Sequence, residues 1–228
     1  MVLARIQEAI DEYIRWLESL TTHPYDYEWE VIQQFQRHWN PHSVDPVAMF
    51  DRCLQNSRTR RLWQEGRWQP KRLMLLFWQT DPLTTKTLFE DLFDETRDLE
   101  ARIGRFLFGC DTLLAEYKQA HPTSVENNHY HDDYRMIALY LSCRYPERYG
   151  FYAFDTFVGA LRALEARNVP QHHDLGRYFK VLRTLMNFLD KQPAIAAHFE
   201  RLLHPQRCYV GRALQQAADF CRFVALSS

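Results

Sequence analysis

Hydrophobic residues recur at three-and-four spacing along most of the chain. Leu3, Ile6, Ile10, Tyr13, Leu17 and Leu20 share one face, and Glu8, Asp11, Glu12, Arg15 and Glu18 largely fill the others. That is the pattern of a helix packed on one side. Trp29, Ile32, Phe35 and Trp39 predict a second helix, closed by Asn40-Pro41. Asp45-Pro46 and Asp81-Pro82 each read as a helix start. The carboxylate accepts free backbone N–H groups and proline is pre-set for the first turn. These helices should run to about Gln55 and about Glu95. The nearly all-apolar stretch Lys71–Gln79 predicts a short buried helix between them. A longer pattern covers Arg97–Gln119, where Gly104 and Gly109 allow a kink or close packing.

His121–Asn128, with Pro122, Ser124 and two asparagines, reads as a linker. It divides the chain into 1–121 and 129–228, either two packed subdomains or one continuous domain. Beyond it, Asp132 or Asp133 is expected to cap a helix carrying Met136, Ile137, Tyr140 and Leu141 on one face. Leu139 lies off that face, which implies burial on more than one side. Pro146 stops the helix at Tyr145. Asp155 is expected to cap a helix from Thr156 to about Arg167, with Phe157, Leu161 and Leu164 inward. Helices over about 173–190, 193–203 and 206–225 complete the reading. No alternating strand pattern and no internal repeat is found. The expected fold class is all-α, a compact multi-helix domain of about nine to eleven helices.

Composition changes this picture little. The 228 residues are 46% hydrophobic with only 7 glycines, which suits helices. A formal net charge of −1 supplies no global field toward nucleic acid or membrane, so any such binding needs a local patch. Five cysteines, odd in number and scattered, read as reduced thiols of a cytoplasmic protein. The first residues lack a basic leader, and no run of about 18 apolar residues is present to span a bilayer.

Catalytic signatures are sparse. The chain has no GxxxxGK[ST] loop and no GxSxG elbow. His129, His131, Asp132 and Asp133, and His172, His173 and Asp174, carry metal-ligating types. They lack the i, i+3 or i+4 spacing that turns ligands toward one ion, and read better as caps and linkers. The expectation is a non-enzymatic protein without cofactor or metal.

The loop Asn56–Arg72 is different. Arg58, Arg60, Arg61, Arg67, Lys71 and Arg72 stand against Glu65 alone, with Trp63 and Trp68 among them. Cations neutralise phosphates and tryptophans stack on bases. The alternative is a solvated loop whose tryptophans tuck into the core, facing Glu90, Asp91, Asp94, Glu95, Asp98 and Glu100. The aromatic cluster Tyr145, Tyr149, Phe151, Tyr152, Phe154 and Phe157 offers the same choice. Phe154 and Phe157 are expected in the core; Tyr149 and Tyr152 are expected at the surface, as further nucleic-acid contacts.

The run His131-Asp132-Asp133-Tyr134-Arg135-Met136-Ile137-Ala138-Leu139-Tyr140-Leu141-Ser142-Cys143-Arg144-Tyr145-Pro146-Glu147-Arg148-Tyr149-Gly150-Phe151-Tyr152 resembles a segment in the helical N-terminal region of bacterial McrB-type AAA+ proteins. These are the GTPase subunits of restriction systems that act on modified DNA. Tyr27-Glu28-Trp29-Glu30, Leu92-Phe93-Asp94-Glu95, Leu99 and Arg102-Ile103 fit the same pattern more loosely. Ala153 stands where the family usually has lysine, and the AAA+ motor is missing from the chain. The resemblance implies a DNA-recognition module of a restriction or phage-defence system. The implied target is DNA carrying a modified base, and the implied partner is an AAA+ motor or nuclease subunit. A protein-interaction or scaffold module that docks such a partner is the alternative.

Overall fold

The computed structural model describes residues 1–123, 126–131 and 134–227. They form eleven helices: α1 (Leu3–Ser19), α2 (Asp26–His38), α3 (Pro46–Cys53), α4 (Pro70–Thr80), α5 (Pro82–Phe93), α6 (Leu99–Ala120), α7 (Arg135–Arg144), α8 (Phe154–Ala163), α9 (Leu175–Leu189), α10 (Pro193–Leu202) and α11 (Gln215–Leu226). Among the described residues there is no strand, only one isolated bridge between Glu65 and Trp68. Among the described residues no helix is long and apolar enough to cross a membrane.

Local rules place the helix starts where a cap exists. Asp45 Oδ1 accepts from Ala48 N at 2.9 Å, and Asp81 Oδ1 accepts from Thr84 N at 3.0 Å. Bonds to the Thr84 hydroxyl and backbone draw the Asp81 carboxyl below its usual range. Asp98 and Asp174 cap α6 and α9 in the same way.

Two expectations about boundaries need revision, and a third lies outside the described residues. Asp155 is not a cap: α8 begins earlier, after Ala153, and Asp155 lies in its first turn. A carboxylate there still meets the positive end of the helix. Asp132 and Asp133 lie outside the described residues; α7 begins after Tyr134, whose backbone is left-handed at φ 59°. The helix expected from 206 starts only at Gln215. The chain before it is spent on tertiary bonds, with Tyr209 N donating to Trp29 O at 3.0 Å and Leu214 N to Pro146 O at 2.7 Å.

The helices gather into two packed groups. The strongest contacts link α2 through α7 among themselves, and link α1 with α8, α9, α10 and α11 through shared neighbours. The grouping does not follow the linker. The first helix packs with the last two, and α7, which follows the linker, packs against α2 and α5. One hydrophobic cluster runs through both groups. All eight residues from Met136 to Cys143 are buried, so α7 is covered on every side. Gly109 lets α6 approach α5 closely, because a Cβ there would overlap the Leu88 side chain.

Candidate nucleic-acid interface

The basic loop is a folded unit. Asn56 Oδ1 accepts from Arg58 N at 2.9 Å and Thr59 N at 2.8 Å, forming an Asx turn. Glu30 of α2 accepts from Ser57 N and Ser57 Oγ, at 3.0 and 2.7 Å. At the far end Glu65 and Trp68 exchange backbone bonds of 2.9 Å around Gly66, whose φ of 56° suits a residue without a Cβ. Arg67 is therefore held at an exposed turn.

Both tryptophans face inward. Trp63 is only 5% exposed and has Lys71 Nζ over its ring at 5.2 Å. Trp68 is half-buried, donates Nε1–H to His129 O at 3.2 Å, and is covered by the Arg135 guanidinium at 4.0 Å. Trp63 is closed to a base and Arg135 covers the Trp68 ring, so the account in which the tryptophans tuck inward fits them better. Lys71 is also committed. Its ammonium pairs with Asp51 at 2.7 Å and donates to Asp51 O and Leu54 O, closing the end of α3. The lysine neutralises a helix C-terminus instead of reaching outward.

The arginines divide into two sets. Arg58 pairs with Asp26 at 3.1 Å, and Arg72 pairs with Glu126. Arg60, Arg61 and Arg67 are exposed, and among the described residues no carboxylate pairs with them. Glu65 is turned to Arg135 at 3.2 Å. The segment Glu90–Glu100 finds other partners: Arg97 bonds Asp91 and Asp94, and Glu95 takes Arg102 and Arg148. An open cleft of about 540 Å³ lies beside the loop, lined by Arg60, Lys71, Arg72, Trp63 and Gln69 among others.

Tyr149 and Tyr152 are buried, at 5% and 3% exposed, which overturns their expected place at the surface. The Tyr149 hydroxyl donates to Glu95 at 2.7 Å and accepts from Arg102 at 2.9 Å. Burial and the bond to Glu95 raise its pKa, with Arg102 pulling the other way. The Tyr152 hydroxyl lies 3.2 Å from His173 Nδ1, and its ring meets Tyr178 edge-on at 4.9 Å. Each tyrosine ring fills core while its hydroxyl finds a polar partner, buried Arg102 for Tyr149 and exposed His173 for Tyr152. Phe157 is core as expected, and Phe154 is half-buried.

Sequence reading missed a neighbour of the loop. Asp26, almost fully buried, accepts from Arg207 at 3.1 Å as well as from Arg58. The two guanidinium groups thus meet over one carboxylate, each nearly half exposed. Arg207 is 149 positions from Arg58 in the chain (207 less 58), so no local pattern could pair them. Tyr27 stands nearby, half-buried, its hydroxyl pushed up to about 12 by burial and by Glu28.

The other candidate groups have structural partners. Asp174 caps α9, and His131 bonds Asp111 at 2.8 Å. Among the described residues no group of three or more His, Cys, Asp or Glu is arranged to hold a metal. All five cysteines are free and buried. Burial pushes the Cys53 and Cys221 thiols up to about 12 and Cys208 to about 11, so they stay neutral at neutral pH. No family model, no curated protein and no solved structure matches this chain.

Proposed function

We propose that the chain is a non-catalytic, nucleic-acid-binding helical module that grips the phosphate backbone with the outer side of the basic loop between α3 and α4. One observation carries the reading: Arg60, Arg61 and Arg67 are exposed, and pair with no carboxylate among the described residues, on a loop whose inner side is locked by Glu30, Trp63 and Trp68. The held loop backbone presents these guanidinium groups together, and each that meets phosphate displaces condensed counterions. Arg58, Arg207 and Arg72 extend the same surface, with part of their charge balanced by Asp26 and Glu126. The McrB-type resemblance supports DNA as the polymer and an AAA+ motor or nuclease as the partner. Tyr149 and Tyr152 have no part in this reading.

Binding to DNA panels, modified and unmodified, at two salt concentrations tests it. The Arg60→Ala/Arg61→Ala double variant should bind all sequences more weakly, with the salt slope flattened by about one unit per lost contact. Unchanged affinity in that variant removes the loop from the site. No binding by the wild-type chain removes nucleic acid altogether and leaves the partner-docking module as the better account.

A further inference from the structure

Two glycines of α6 have opposite surroundings. At Gly109 an added Cβ would overlap Leu88, so close helix packing accounts for the residue. At Gly104, five positions earlier (109 less 104), nothing lies within 4 Å of such a Cβ, and the backbone is ordinary helix. Glycine is among the weakest helix formers, and here neither packing nor backbone conformation requires it. Its effect is to leave room in the floor of an open cavity of about 520 Å³.

That cavity lies between the two helix groups. Ile103, Gly104 and Leu107 of α6 form one side, and the segment Pro170–Arg177 forms the other. Tyr134, held by its left-handed backbone, is part of the wall. Its ring meets the His173 ring edge-on at 5.8 Å, and His173 packs on Phe154 at 4.7 Å. The Tyr152 hydroxyl occupies His173 Nδ1, which leaves Nε2 for a ligand. Glu100 and Arg177 bring opposite charges to the rim. Small-molecule sites combine an apolar floor with a few convergent polar groups and occur where structural units meet.

We propose that this cavity binds a small planar heteroaromatic molecule with a hydrogen-bonding edge. The ring lies against Leu107, Tyr134 and the open position at Gly104, and its polar edge meets His173 Nε2, Arg177 or Glu100. The site is separate from the basic loop and does not depend on nucleic-acid binding. Its volume suits one or two fused rings, and its aromatic wall favours a flat ligand over an aliphatic one.

The test uses the full chain with adenosine, cytidine and free tryptophan as probes, read by saturation-transfer NMR and titration calorimetry. The purine, the pyrimidine and the indole separate a nucleoside source from an amino-acid source of the same ring chemistry. At least one probe should bind wild type, and Gly104→Leu should weaken that binding by at least about tenfold by filling the floor. The thermal midpoint of Gly104→Leu should equal or exceed that of wild type, because the added Cβ meets open space, the longer side chain enters the open cavity, and helix propensity improves. Gly104→Ala should keep most of the binding. No binding by any of the three probes overturns the proposal, as does equal binding by wild type and Gly104→Leu.

Discussion

The core of the α2–α7 group and the seam between the two groups are both largely buried, yet they are built from opposite chemistry. In the first, rings pack on rings. Phe89 contacts Trp39, Phe50, Trp78, Phe93, Phe106 and Tyr140, with centroids 5.0 to 6.0 Å apart. At the seam, charges pack on charges. Asp219 of α11 accepts from Tyr13 at 2.7 Å and lies 3.2 Å from His23 and 3.4 Å from Arg222. Glu28 of α2 takes Arg222 at 2.5 Å and Gln215 at 2.6 Å. Arg222 also lies over the Tyr25 ring at 3.9 Å. The ring core gains from each apolar surface removed from water. The seam offsets a desolvation cost with partners, so its value depends on every partner staying in place. An apolar core tolerates many arrangements, whereas a charge network accepts few. We infer that the seam fixes how α1 and α11 dock on α2.

The largest effect is expected in the ring core. Phe89→Ala should cost about 3–5 kcal/mol in urea unfolding, because six ring neighbours cannot all collapse into the space. A loss below about 1 kcal/mol would mean that the core repacks freely and that the contrast is weaker than drawn. Arg222→Ala comes next, at about 3 kcal/mol, since it strands Glu28 in the interior. Adding Glu28→Gln should recover part of that loss. No recovery would show that packing of the arginine stem, rather than the orphaned charge, sets the cost.

Acid separates the two regions by the shape of the curve. For Asp219, burial pushes the pKa up, but His23, Arg222 and Tyr13 more than offset it and the net shift is below 3.8. Its stabilisation is therefore present above about 3.8 and lost as pH falls through the lower folded value. Glu28 runs the other way. Burial raises it above 4.5, so its penalty stands above the folded value and fades as pH falls toward 4.5. Stability should rise slightly on mild acidification and then fall steeply. Asp219→Asn should reduce the fall, leaving the part owed to Asp81, Asp94 and Asp111, and Glu28→Gln should remove the rise, while Phe89→Ala should shift the whole curve by a constant. A Phe89→Ala curve that changes shape would couple the two regions.

Smaller effects sharpen the edges of the comparison. Tyr149→Phe keeps the ring against Phe179, at 4.8 Å, but takes the hydroxyl from Arg102 and Glu95. A cost of about 1–3 kcal/mol in thermal unfolding is expected, the cost of a stranded buried polar group. A neutral result would place the Arg102–Glu95 pair in water. Asp81→Ala should cost about 1 kcal/mol through the lost α5 cap, and Asp45→Ala about the same for α3. Unchanged midpoints would show that proline alone sets those starts.

Sequence by itself determined the helical class and most of the helices. Spacing of Ile6, Ile10, Tyr13 and Leu17 is a property of the chain, and an Asp-Pro cap acts within three residues of itself. Such interactions are local, so they are legible before any fold exists. The sequence also located the basic loop and gave both of its accounts. Only tertiary structure decided what was inside. Tyr149 looked like a surface ring until Arg102 and Glu95 arrived from 47 and 54 positions away to satisfy its hydroxyl. Trp68 lost its open face to Arg135, and residues 206–214 gave up helix for bonds to Trp29 and Pro146. Arg207 joined Arg58 through a buried aspartate of a third segment. An amphipathic side chain can serve core or surface equally well by composition. Which it does depends on whether a distant partner meets its polar end, and that is settled by packing rather than by neighbours in sequence.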